Sequence, residues 1–164
     1  TYGTDLDAVV NCTGTHPGFY PIDPEFRDRT IEVMQRNLTP AINAYAALLP
    51  GFRERRAGHF VHVSSSALEF EVEGEAGYSA SKAAVESLAR SFQNGDREQG
   101  NEILHHTARV SLTDTPLARK VCGEDHPWHE HFTGAETAAY LLDILERPKN
   151  YPHVAVTLPI QPLR

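Results

Sequence analysis

Gly77-Tyr78-Ser79-Ala80-Ser81-Lys82-Ala83-Ala84-Val85 decides how this chain is read, together with Ser65 thirteen residues before the tyrosine. The segment is rich in alanine, the residue that loses least on entering a helix. On a helix Tyr78 and Lys82 are four apart and share a face. An ammonium beside a phenol favours the phenolate, so this spacing predicts a phenol held below its ordinary value of about 10. Such a tyrosine can act as a general acid or base near neutrality. Ser65 closes the apolar run Phe60-Val61-His62-Val63. A hydroxyl there, at the C-terminal end of a strand, can donate to a substrate oxygen. The three side chains point to proton transfer on a hydroxyl or carbonyl. The plain alternative for Tyr78 and Lys82 is a surface pair at helical spacing.

Outward from this segment, strand and helix patterns alternate, which predicts an α/β fold with a parallel sheet. Asp7 to Asn11 reads as a short apolar strand closed by Thr13-Gly14. Pro24 to Leu49 reads as a long helix with an apolar stripe at Ile31, Met34, Leu38 and Ile42, ended by Pro50-Gly51. Pro40 lacks the N–H that would bond Arg36, so a kink is expected beside Asn37. His59 to Ser65 is the second strand, Gly77 to about Phe92 the second helix, and Ile103 to Val110 a third strand. Pro116 to Phe132 reads as an irregular loop. Thr133 with Glu136 forms a capping box for a helix to about Glu146, and His153 to Ile160 is a last strand.

The chain has 164 residues, 40% hydrophobic and 23% charged, enough for one domain with its own core. A formal net charge of −7 argues against nucleic acid or an anionic membrane as partner. No apolar stretch approaches the ~18 residues of a membrane span. Cys12 and Cys122 lie far apart without metal-type spacing and read as free thiols of a reducing, cytoplasmic compartment.

With these residues in register, the chain resembles the short-chain dehydrogenase/reductase family. That family carries an Asn–Ser–Tyr–Lys tetrad, and the matching residues here are Asn37, Ser65, Tyr78 and Lys82, with 27, 12 and 3 residues between them. Asn11-Cys12-Thr13-Gly14 is similar to the family's N-N-A-G segment beside the cofactor, with Asn11 and Gly14 matching. Thr115, in Thr113-Asp114-Thr115-Pro116, takes the position of the threonine that contacts the nicotinamide carboxamide. The Pro-Gly expected before it is Val110-Ser111 here. Pro152-His153-Val154 with Ile160-Gln161-Pro162 resembles the end of a subgroup of NADP-dependent reductases and hydroxy-acid dehydrogenases.

The resemblance implies a Rossmann-like, doubly wound parallel sheet, here incomplete, with strands equivalent to the family's 4-5-6-7. It implies NAD or NADP as cofactor, NADP being favoured, with Asn11, Gly14, Tyr78, Lys82 and Thr115 on the cofactor side. It implies a small alcohol or ketone as substrate, a catalytic Asn37, Ser65, Tyr78 and Lys82, no metal, and a homodimer or homotetramer built through the two long helices. The family's first three strands and its T-G-x-x-x-G-x-G turn have no counterpart here, so the chain is expected to be a piece of a longer protein or one half of a split enzyme. The reading from a different class is a non-catalytic member that binds a nucleotide or a partner.

Three further stretches draw attention. Glu124-Asp125-His126-Pro127-Trp128-His129-Glu130-His131 has zinc-type side chains, but Pro127 and the irregular spacing argue against a rigid site. As the family's mobile lid, this loop would let Trp128 close over a ligand. Glu69, Glu71, Glu73 and Glu75 alternate before Tyr78. They read as a solvated acidic strand or loop, or more sharply as a negative rim that favours an amine-bearing substrate. His105 and His106 are taken as structural.

Overall fold

The computed structural model describes residues 6–70, 72–151 and 154–157. In chain order the elements are β1 (Ala8–Asn11), α1 (Phe26–Arg55), β2 (Ala57–Ser65), α2 (Ala67–Phe70), α3 (Ala76–Glu98), β3 (Glu102–Val110), β4 (Thr113–Asp114), α4 (Pro116–Cys122), β5 (Phe132–Thr133), α5 (Gly134–Glu146) and β6 (Ala155–Thr157). Short 3-10 turns lie at Glu73–Glu75, Trp128–Glu130 and Pro148–Asn150. The main sheet runs β1-β2-β3-β6, and all its pairings are parallel. β4 and β5 form a separate small parallel pair.

Parallel strands need long crossovers, and α1 and α3 supply them between β1, β2 and β3. Successive side chains of a strand point to opposite faces, so the neighbours Phe60 and Val61 enter different cores. Phe60 packs with Tyr45, Leu49, Phe52 and Ile103 under α1 and α3. Val61 packs with Ala108, Leu141 and Ile144 under α5. Helices therefore cover both faces, as the expected doubly wound arrangement requires.

Helix α1 departs from expectation in two ways. It contains Pro40 as expected, but it also runs past Pro50 and is capped by Arg56, which has a φ of 58° and whose N–H reaches the carbonyls of Phe52 and Arg53. The extra turn persists past Pro50 because Phe52, fully buried, packs its ring 5.0 Å from that of Phe60 at a tilt. Gly58 lies directly under that ring and has no room for a side chain. The inward stripe is also not the one chosen by apolarity. Val33, Asn37, Ala41, Tyr45, Leu49 and Phe52 are buried, whereas Ile31 and Ile42 are 42% and 45% exposed. Asn37 and Tyr45 can face inward because each finds a polar partner there, which a count of apolar residues does not register.

Other boundaries shift. Residues 116–132 hold α4, started by Pro116 and capped by the Thr115 hydroxyl, which accepts from the Ala118 N–H at 3.2 Å. The acidic stretch is not an extended segment: Glu69 lies on α2 and Glu73 and Glu75 in a 3-10 turn, while Glu71 lies outside the described residues. The Thr133–Glu136 capping box forms as expected. Of the expected last strand, Ala155–Thr157 is a strand, and most of the remainder lies outside the described residues.

The face of α3 that packs inward is strongly polar, including Ser81, Lys82, Glu86 and Asp96. Glu86, 2% exposed, is held by a two-pronged contact from Arg109 (Nε–Oε1 2.8 Å, Nη2–Oε2 2.8 Å) and by the Ser64 hydroxyl at 2.7 Å. Arg109→Met would leave this carboxylate buried without its cation. A loss of about 3–5 kcal/mol in unfolding free energy is expected, read from urea titration at neutral pH. A loss below about 1 kcal/mol would show instead that Glu86 reaches water.

Candidate active site

β1, β2 and β3 all end at the same edge of the sheet, and their C-terminal ends open into a cavity of about 690 Å³. Its walls come from the turn after β1, Ser64 to Ala67 after β2, Tyr78 and Lys82 of α3, the segment after β3, α4 and the start of α5. This is the edge where open α/β sheets place their ligands. Five of the seven site residues singled out from sequence, Gly14, Ser65, Tyr78, Lys82 and Thr115, border it.

The Ser65 hydroxyl faces that of Tyr78 across the cavity wall, near enough to draw the phenol's value down. The Ser65 oxygen also accepts from the Ala67 N–H at 3.1 Å, which orients it. Lys82 is 5% exposed, its Nζ lies 5.7 Å from the Tyr78 ring centre, and it donates to the Val63 carbonyl at 3.0 Å. Burial lowers the Lys82 ammonium to about 8, opposed by the Cys12 thiol. The expected lowering of the Tyr78 phenol is not found. Its value is raised, chiefly by burial, with the Ser65 hydroxyl pulling down and the Glu75 charge pushing up. Burial outweighs the Lys82 ammonium, which is turned to the strand carbonyl.

Asn37 does not reach Lys82 directly. Its Oδ1 accepts from the Thr15 N–H at 2.7 Å, and its Nδ2 donates to the Thr15 carbonyl at 3.1 Å and the Ser81 hydroxyl at 2.8 Å. This two-way grip fixes the turn after β1 against α3. Gly14 sits between the two groups: a Cβ there would lie 3.2 Å from both Asn37 Oδ1 and Lys82 Nζ. Asn11 does not border the cavity; its Oδ1 accepts from the Thr13 N–H at 3.0 Å, and its Nδ2 donates to His62 Nδ1 at 3.1 Å. Thr115 lines the cavity from the start of α4. Gly14, Lys82 and Thr115 thus line the same open cavity, with no side chain on Gly14 to fill it. That suits a flat ring and its ribose, and these residues fit a nicotinamide nucleotide.

The sequence reading missed His16. Its ring packs 4.3 Å from that of Tyr78, and its Nε2 bonds Glu75 Oε1 at 2.8 Å. No motif marks it; only the folding of the 12–22 loop across the N-terminus of α3 brings it there. The expectation for Trp128 is corrected. It is 8% exposed, donates to the Gly123 carbonyl at 3.1 Å, lies under the Arg119 guanidinium, and does not border the cavity. His126 and His131 bond each other at 2.8 Å, and among the described residues no group of three or more His, Cys, Asp or Glu side chains is placed to hold a metal. Among the same residues no helix is long and apolar enough to cross a membrane.

The family model described as short chain dehydrogenase matches residues 2–125. An uncharacterised oxidoreductase of Mycobacterium tuberculosis is 34% identical over 86 residues, which are 52% of this chain and 23% of that protein. One from Listeria monocytogenes is 26% identical over 120 residues, 73% of this chain and 48% of that protein. The chain therefore spans half or less of these curated relatives. Among solved structures, a short chain dehydrogenase/reductase family protein superposes with a TM-score of 0.79 at 23% identity, covering 94% of this chain and 65% of the other. Serine dehydrogenase in a closed form with NADP+ gives 0.79 at 19%, covering 96% and 65%. At these identities the structural likeness speaks for the fold.

Proposed function

The chain belongs to the short chain dehydrogenase family, and from that premise we propose that its cavity serves an NAD(P)-dependent oxidoreductase interconverting a secondary alcohol and a ketone. The observation that carries this reading is the meeting of Ser65, Tyr78 and Lys82 on one cavity wall, with Lys82 Nζ 5.7 Å from the Tyr78 ring centre.

In the reducing direction the substrate carbonyl oxygen sits against both hydroxyls. Ser65 donates a hydrogen bond that steadies the oxygen as it gains negative charge. Tyr78 gives up its phenolic proton to that oxygen. Its raised value keeps it protonated at neutrality, the state a general acid needs. The nicotinamide supplies the hydride when bound. Lys82, whose ammonium burial lowers to about 8, lies beside the ring and returns a proton to the phenolate left behind. Asn37 shapes the turn that brings Gly14 against Lys82 and so keeps open the side from which that proton returns. Gly14, Lys82 and Thr115 hold the nicotinamide end of the cofactor; Asn11 acts on it through the turn it braces. Around this site the protein works as a cytoplasmic homodimer or homotetramer, and the exposed Ile31 and Ile42 of α1 suit burial between copies.

The test is turnover. The protein expressed from its whole gene, given NADH or NADPH and a panel of ketones, should consume the reduced nicotinamide with at least one of them. Nucleotide binding without turnover across the panel would point to a binding module instead.

A further inference from the structure

One charge in the cavity has no task in proton transfer. Glu75 borders the cavity with its side chain 13% exposed. Its described partner is His16, and that contact brings no cation. His16 Nδ1 accepts from the Gly18 N–H at 3.0 Å, so the proton of a neutral imidazole sits on Nε2 and is donated to Glu75 at 2.8 Å. The other acidic residues of this stretch are differently placed. Glu69 is taken by Arg109 and by the Thr157 hydroxyl, and Glu73 does not border the cavity. Lys82, the cavity's cation, lies seven residues along the helix, about 10 Å of rise away, and is bound to Val63.

Aromatic rings line the cavity beside this carboxylate. The His16 ring lies 4.3 Å from that of Tyr78 and 6.0 Å from that of Phe19. Phe19 and Phe70, 59% and 57% exposed, border the same cavity. A carboxylate beside aromatic rings is the chemistry that recognises an ammonium group. A ketone or alcohol alone gives it nothing to bind.

We propose that Glu75, held by His16, binds an ammonium group of the substrate, so that the enzyme acts on an amino alcohol or amino ketone. This rests on the oxidoreductase reading above. Glu75 and Tyr78 are three residues apart, a rise of about 4.5 Å, which suits an amine one to three carbons from the reacting carbon. His16 sets the carboxylate's direction and packs on the acid–base tyrosine, tying substrate binding to the orientation of Tyr78.

The experiment compares isopropanolamine, sec-butanol and lactate, which are similar in size and differ in charge. It measures kcat/KM with the oxidised nicotinamide and, separately, binding without cofactor by saturation-transfer NMR. The wild-type protein should favour isopropanolamine over sec-butanol by about 10–100-fold, the worth of one hydrogen bond to a charged group. Glu75→Gln keeps an oxygen for the His16 N–H but loses the charge, and should bring that ratio close to one. A wild-type ratio near one, or a preference for lactate, overturns the proposal even should the variant fail to fold. A preference that survives Glu75→Gln overturns it as well. Amine-selective binding abolished by Glu75→Gln, with no turnover of any compound, upholds the subsite and removes the oxidoreductase reading. Turnover without charge preference does the reverse.

Discussion

Replacing Tyr78 with phenylalanine is expected to lower turnover by about 10²–10⁴-fold, the usual contribution of a positioned acid or base, while nicotinamide affinity stays within a few-fold. The substitution removes one oxygen. The ring contact with His16 remains, and the Ser65 oxygen keeps its bond from the Ala67 N–H, so the walls of the cavity should hold their shape. What is lost is the phenolic proton that the substrate oxygen would receive. Single-turnover reduction followed by nicotinamide absorbance, with cofactor binding from fluorescence titration, separates the two effects. A residual rate within tenfold of wild type would remove Tyr78 from its role. A parallel fall in cofactor affinity would mean the phenol is needed for binding rather than proton transfer.

Acidification is the second large effect, and it acts on stability. Four histidines lie buried on β2 and β3: His59 at 7% exposure, His62 at 1%, His105 at 0% and His106 at 4%. Burial is the main cause that lowers His59 and His62 to about 4, with repulsion from neighbouring histidines adding to it. His105 and His106 are lowered as well, again first by burial. The bonding pattern agrees. His106 Nε2 donates to the Tyr151 carbonyl at 2.6 Å, so its Nδ1 must accept from His59 Nε2 at 2.7 Å. Protonating His106 would set two donors face to face.

A group whose folded value lies below its unfolded one of 6.5 destabilises the fold as pH drops from 6.5 towards 4, because the unfolded chain takes up the proton first. Below about 4 both states are protonated and the loss levels off. Each of His59 and His62 should cost about 2 kcal/mol at pH 5 and about 3 kcal/mol at full effect. That is a large part of a typical domain's ~5–15 kcal/mol. Urea titrations at pH 7 and pH 5 should therefore differ by several kcal/mol. His62→Gln, which keeps an acceptor for Asn11, should recover about 2 kcal/mol of that difference. Equal stability at the two pH values would show that these histidines are protonated in the fold or reach water.

Much of the fold was legible because alternation and capping are local. The Thr133–Glu136 capping box needs only the residues between its ends, and the strands from Phe60 and Ile103 are marked by their own β-branched and aromatic composition. The end of α1 was not legible. Proline at position 50 is a valid local stop signal, overridden by Phe52 meeting Phe60 and by Gly58 making room. The same limit applies to the inward stripe, where Asn37 and Tyr45 displaced better apolar candidates because partners on Thr15, Ser81 and His105 awaited them.

The sequence by itself determined that Tyr78 and Lys82 share a helix face, that Ser65 ends a strand, and that the chain follows the short chain dehydrogenase pattern. Those are statements about spacing, and spacing survives without coordinates. Only the tertiary structure decided what the side chains do to one another. It turned Lys82 to the Val63 carbonyl, so that burial and not the ammonium governs the Tyr78 phenol. It also carried His16 from a featureless loop onto Tyr78 and left Glu75 as a carboxylate facing the cavity. The physical reason is the same in each case: desolvation and partner choice depend on which surfaces meet, and residues 59 positions apart, such as His16 and Glu75, meet only in the fold.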